Sequence, residues 1–241
     1  MTTRRRAGFA LAALVVTACL VALGIWQVER RAWKHELIAT VEANIHAAPV
    51  LAPGPAAWAG ITPARDGYRR VSATGHFRYD REVLVQAVTE LGGGFWVVTP
   101  LETPGFTVLV NRGFVPPDKR DPATRAAGNI NGPVSLTGLL RITEPGGGFL
   151  RSNDPAAGRW YSRDVAAIAQ AQGISNAAPF FIDADAAPAP GAYPVGGLTV
   201  VRFSDNHLVY ALTWFGLALL SAYFAWRLWR PGPVGRTIAD Q

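Results

Sequence analysis

The chain has 241 residues, a mean hydropathy of +0.15 and a formal net charge of +6, enough for one domain of ordinary size plus membrane segments. The charge is distributed against nucleic-acid binding. Arg4, Arg5 and Arg6 precede the first apolar run, Arg227, Arg230 and Arg236, less Asp240, follow the last, and Glu29 to Asp205 holds 17 Lys/Arg against 16 Asp/Glu. A single cysteine, Cys19, excludes intrachain disulfides and any CxxC redox or zinc motif.

Ala7 to Trp26 is 20 residues without a charge. It reads as a spanning anchor rather than a signal peptide, because Gly24-Ile25-Trp26-Gln27 offers no small-x-small cleavage site. Val16-Thr17-Ala18-Cys19 has the form of a lipoprotein box, but the residues after Cys19 are apolar again, where lipoproteins turn polar. The helix is expected to continue past the membrane surface, since Trp26 to Ile38 contains no Gly or Pro, and Trp26, Arg30, Trp33 and Leu37 recur at helical spacing. His35 and His46, on or just past this extension, read as solvated.

Ala47 to Gly67, rich in Pro, Gly and Ala, predicts a linker. Short segments of strand character follow: Tyr68–Arg78, Glu82–Val88 and Phe95–Leu101 around a Gly92-Gly93-Gly94 turn, then Thr107–Val110 leading into Asn111-Arg112-Gly113-Phe114. A polar loop, Pro117 to Pro133, leads to a strand at Val134–Ile142. Asp164 through Gln172 predicts a short helix, with Asp164 as N-cap and Gly173 past its end. Phe180–Ile182 and Leu198–Phe203 read as the last strands. The expected fold is an α+β, mainly antiparallel β domain, a compact sheet or partial barrel, enclosed by two transmembrane helices.

No catalytic set emerges from this domain. His35, His46 and His76 show no metal-ligand spacing, no GxSxG occurs, and Gly92–Gly94 and Gly146–Gly148 lack the lysine and helix of a phosphate loop. Arg112 interrupts an apolar strand. It either bonds loop carbonyls where Asn111 and Gly113 make a turn, or grips a carboxylate on a partner or ligand.

Ser204, Asp205 and Asn206 are candidate N-cap residues for a second span. From Leu208 to Trp226 no residue is charged, about 28 Å of helix. His207 opens it, and Trp214 follows seven residues later on the same face, with Tyr210 and Ala211 between. A histidine at the mouth of a spanning helix can be a metal ligand, a proton carrier or a polar residue solvated at the interface.

Leu23-Gly24-Ile25-Trp26-Gln27, with Arg30 and Trp33-Lys34, resembles the first-helix signature of the SURF1/Shy1 family of haem–copper oxidase assembly factors. Thr99-Pro100-Leu101, Val110-Asn111-Arg112-Gly113, Trp160-Tyr161 and Asn206-His207-Leu208, with Tyr210-Ala211 and Trp214, are similar to its later signatures in the same order. Two positions depart from that pattern: Phe114 stands where the family usually has Trp, and Asp205 where a second Asn is common. The resemblance implies two spans enclosing a domain on the outer face, the bacterial periplasm or the mitochondrial intermembrane space. The expectation here is a bacterial inner-membrane protein, whose terminal arginines place both termini in the cytoplasm. Residues 1–28 would form the tail and first span, 29–205 a periplasmic helix extension, linker and β domain, and 206–241 the second span and tail.

The family's role implies a chaperone that is no enzyme and that supplies or stabilises haem a for oxidase subunit I. His207 would be the ligand of haem iron, with Trp214 beside the macrocycle and Arg30, Arg31 or Arg202 near a propionate. Partners implied are subunit I, haem a synthase and membrane lipid. The competing expectations are a scaffold that stabilises subunit I without touching haem, and a membrane-anchored sensor or enzyme.

Overall fold

The computed structural model describes residues 3–148, 150–185, 192–199 and 205–230. In chain order the elements are α1 (Thr3–His46), β1 (Val50–Leu51), α2 (Pro63–Asp66), β2 (Arg70–Phe77), β3 (Val83–Thr89), β4 (Gly92–Thr103), β5 (Phe106–Val115), β6 (Val134–Ile142), α3 (Val165–Ala171), β7 (Ala177–Ala184) and α4 (His207–Trp229). They form two compact units: Met1–Ile38 with Arg202–Gln241, and Ala39–Val201.

α1 is the longer of the two apolar helices; at 1.5 Å per residue its 44 residues extend about 66 Å, and its last turns, from Ala39, belong to the β unit. Both α1 and α4 are long and apolar enough to cross a membrane. Most of their covered residues follow one rule. On α1 they include Ala10, Ala13, Thr17, Leu20, Gly24, Gln27 and Arg31, and on α4 His207, Ala211, Trp214, Ala218, Ser221, Ala225 and Leu228, with Phe215 and Ala222 flanking the stripe. Alternating steps of three and four give the 3.5-residue period of helices wound round one another. Two hydrogen bonds fix an antiparallel register: Ser221 Oγ donates to the Ala13 carbonyl at 2.9 Å, and His207 Nδ1 lies 2.7 Å from Gln27 Oε1. Gly24 is a seam position because a Cβ there would come within 2.5 Å of the Phe215 ring.

Among the described residues the β unit is a seven-stranded sheet in the order β1-β2-β6-β7-β5-β4-β3. β1 with β2 and β5 with β7 run parallel, and the other neighbours antiparallel. β2 also pairs with β4, through His76 with Glu102 and Phe77 with Leu101, so β2, β6, β7, β5 and β4 return on themselves. Strand alternation sorts the core into two faces. Val108, Val110, Phe180 and Ile182 join Val71, Leu101 and Leu140 on one, where Trp58 meets Phe106 edge-on at 5.8 Å. Leu109 and Phe181 face the other way, under Trp160, Val165 and Ile168. A β-rich domain between two apolar helices is therefore the architecture.

The local expectations fare unevenly. Asp164 caps α3, accepting the Ala167 N–H at 3.1 Å, and Gly173 follows with φ of 64°. The expected linker holds the two residues of β1, a 3-10 helix at Pro55–Gly60 and α2. The hairpin turns one step earlier than expected, at Glu90 and Leu91, and the glycines begin β4. Gly94 is needed for room: a Cβ there would lie 2.6 Å from the Phe114 ring and 2.3 Å from the Val115 carbonyl oxygen. Of the predicted strand Leu198–Phe203, residues 198 and 199 are not in a strand, and 200–203 lie outside the described residues, as does Ser204.

Asn111-Arg112-Gly113 makes no turn. β5 runs through it, with Val98 opposite Asn111 and Val97 opposite Gly113, so Arg112 is the extra residue of a β-bulge. The bulge lets an arginine leave an apolar strand without ending it.

Candidate functional site

The predicted residues His207 and Trp214 both fall on the seam of the helical unit. His207 is half-buried in the first turn of α4, and Trp214 is half-buried two turns on. The register set by the two interhelical bonds places Leu20 opposite Trp214 and Gln27 opposite His207. Gln27 is only 9% exposed, a carboxamide one residue past the apolar run of α1. The sequence reading names it only within the first-helix signature and gives it no role. Its phase was the signal: it lies one seam step after Gly24.

Polar groups gather at the mouth of α4. Asp205 Oδ1 accepts the His207 backbone N–H at 3.0 Å, so Asp205 does the capping, while Asn206 makes no side-chain cap. The other oxygen, Oδ2, is 2.8 Å from His35 Nε2 and 3.3 Å from Arg31 Nε. The His207 N–H and the His35 ring, with Arg31 near, hold the Asp205 carboxyl below the usual carboxylate range. His35, read as solvated from the sequence, is exposed but engaged. Arg30 lies over the Trp33 ring at 4.0 Å; Arg202 lies outside the described residues.

The β unit carries its own charge clusters. Glu82 takes Arg112 on Oε2 at 3.3 Å and Arg125 on Oε1, and all three side chains are at most 9% exposed. Arg112 also donates to the Gly128 carbonyl at 2.6 Å and lies over the Tyr79 ring at 4.8 Å. Burial holds the Arg112 guanidinium below its ordinary value, against the pull of Tyr79 and Glu82. The carboxylate it grips is the chain's own. An open cleft of about 690 Å³ lies beside this cluster, lined by Tyr79, Glu82, Pro117, Arg120 and Arg125 and edged by Asp80, Asp118 and Asp121. Across the sheet Asp183 gathers Arg141 at 2.5 Å and Arg163 at 3.1 Å.

The SURF1 family model matches residues 14–219. This chain belongs to the SURF1 family. Among its relatives, mouse Surfeit locus protein 1 is 38% identical over 242 aligned positions, covering 93% of this chain and 75% of the relative. The human Surfeit locus protein 1 is 37% identical, with 92% and 78% covered. A SURF1-like protein of Monosiga brevicollis is 37% identical, with 91% and 87% covered. Phe114 is 1% exposed and meets Trp96 edge-on at 6.1 Å.

Proposed function

We propose that this SURF1-family chain assists assembly of a haem–copper terminal oxidase, cytochrome c oxidase, by holding haem a for subunit I, and that it catalyses no reaction itself. The carrying observation is His207: one ring nitrogen is tied to buried Gln27, and among the described residues nothing takes the other. Such an imidazole suits an axial ligand of haem iron. Among the described residues no three His, Cys, Asp or Glu side chains gather to hold a bare ion. A haem needs no such cluster, since its macrocycle supplies four nitrogens to the iron. Trp214, about 10 Å deeper on the same seam, offers an aromatic face, and Arg31, one helical turn from Gln27, offers a cation for a propionate.

The proposed setting is a bacterial inner membrane, with α1 and α4 spanning it, both termini cytoplasmic and the β unit periplasmic beside subunit I and haem a synthase. The arginines at the two ends support this orientation. A reporter fused between Pro117 and Pro133 should behave as periplasmic, and cytoplasmic behaviour would overturn it.

Haem per protein, measured by absorption after co-expression with haem a synthase, tests the ligand. His207→Ala should lose haem a steeply while still inserting in the membrane. Trp214→Phe should retain it with a shifted spectrum. Wild-type occupancy in His207→Ala, or a larger loss in Trp214→Phe, defeats the assignment. Absence of haem from the wild-type protein favours a pure scaffold for subunit I.

A further inference from the structure

We infer that Gln27 is a positioning residue that sets the tautomer of His207, keeping the ring proton on Nδ1 so that the Nε2 lone pair is the one presented to iron. The inference rests on the reading of His207 as ligand and deepens it. A neutral imidazole carries one N–H and one lone pair, and the bond made by one nitrogen decides the state of the other. Here the atom 2.7 Å from Nδ1 is the carboxamide oxygen of Gln27, which can only accept, so Nδ1 donates. The reverse arrangement, with an amide N–H donating to Nδ1, would put the proton on Nε2 and close the ligand position.

Three features make the arrangement more than a stray interhelical bond. Gln27 is 9% exposed, so its carboxamide is largely withdrawn from solvent and the His207 ring partners its oxygen. The backbone of His207 is held as well, its N–H donating to Asp205 Oδ1 at 3.0 Å. The approach of the helices is set one seam step away, where Gly24 leaves room for the Phe215 ring. A ring held at Nδ1 on a residue pinned at its backbone has the form of a pre-oriented ligand. Carbonyl partners of this kind fix the tautomer of ligating histidines and raise their basicity.

The test is nitrogen NMR on the detergent-solubilised full chain labelled at histidine, without haem, at a pH where the imidazole is neutral. The chain has four histidines, and His207→Ala assigns the one of interest. Wild-type His207 should show a protonated Nδ1 and an unprotonated Nε2. Gln27→Leu, similar in size but without an acceptor, should lose that preference and bind haem a about 10- to 100-fold more weakly. Gln27→Glu keeps an acceptor, and should restore the tautomer and most of the affinity with a displaced Soret band. A proton on Nε2 in the wild type, or Gln27→Leu matching the wild type in tautomer and affinity, overturns the inference. Full haem occupancy in His207→Ala instead sinks the ligand reading, while the nitrogen shifts of the haem-free protein still judge Gln27.

Discussion

Asn111 Nδ2 donates to Asp183 Oδ1 at 2.8 Å, and the two residues are register partners across the parallel β5–β7 pair, 4% and 3% exposed. The same carboxylate takes Arg141, Arg163 and the Thr199 hydroxyl. The four donors offset the cost of burying a charge in the middle of the sheet. Asp183→Asn leaves two arginines to share Glu144 and should cost about 3–5 kcal/mol, the range for breaking a buried pair. Urea unfolding of the detergent-solubilised protein measures it, and a loss well under 1 kcal/mol would mean the network is not integral to the sheet.

Arg112 uses the breadth of its guanidinium, reaching Glu82 and the Gly128 carbonyl while covering the Phe77 and Tyr79 rings. A lysine supplies the charge but neither the fork nor the planar face. Arg112→Lys should therefore destabilise by about 1.5–3 kcal/mol, the range for charge-assisted bonds. Thermal unfolding followed by circular dichroism would show it; an unchanged midpoint would mean that charge alone matters here.

Gly113 has φ of 136°, and a Cβ there would lie 2.2 Å from the Val195 carbonyl oxygen. Gly92, with φ of 96°, has nothing within 4 Å. Gly92→Ala should cost only backbone strain, about 1–3 kcal/mol. Gly113→Ala adds a backbone clash that breaks the paired bonds of Phe114 with Val195, and should cost clearly more. Equal melting midpoints would contradict this ordering.

Burial works against ionisation of Asp66, yet Arg65, the Thr62 N–H and Arg69 together hold its carboxyl below the usual range. Its stabilisation is then complete above the unfolded value of about 3.9 and is lost as pH falls through the lower folded value. Stability should decline on acidification below about pH 4, more shallowly in Asp66→Asn. Denaturant midpoints recorded between neutral pH and about pH 3 test this; parallel curves would exclude Asp66 as a source of the acid limb.

Periodicity made the apolar helices, α3 and most strands legible, because each repeats a short pattern of burial. The bulge was not legible: Asn111-Arg112-Gly113 has the composition of a turn, and only the register of β4 against it shows that the strand continues. Gly94 was misread for a similar reason, since the Phe114 ring that excludes a side chain there comes from another strand. His207 and Trp214 stood out as unusual residues in an apolar helix. Their counterpart Gln27 lies 180 residues away, and nothing short of the antiparallel register announces the pairing.

β7 lies between β6 and β5, yet among the described residues it is the last strand of the sheet to be made. Until Ala177–Ala184 has been synthesised, the two strands that will flank it expose bare hydrogen-bonding edges, and their core side chains lack Phe180, Phe181 and Ile182. Contact between β5 and β6 through a middle strand cannot begin from the N-terminal end. The sheet must be completed after nearly all of its sequence has left the ribosome, with the stretch to α4, α4 itself and the residues beyond it still to come. Its birth is a closing event, and the unclosed intermediate is the form of this protein most exposed to aggregation and proteolysis.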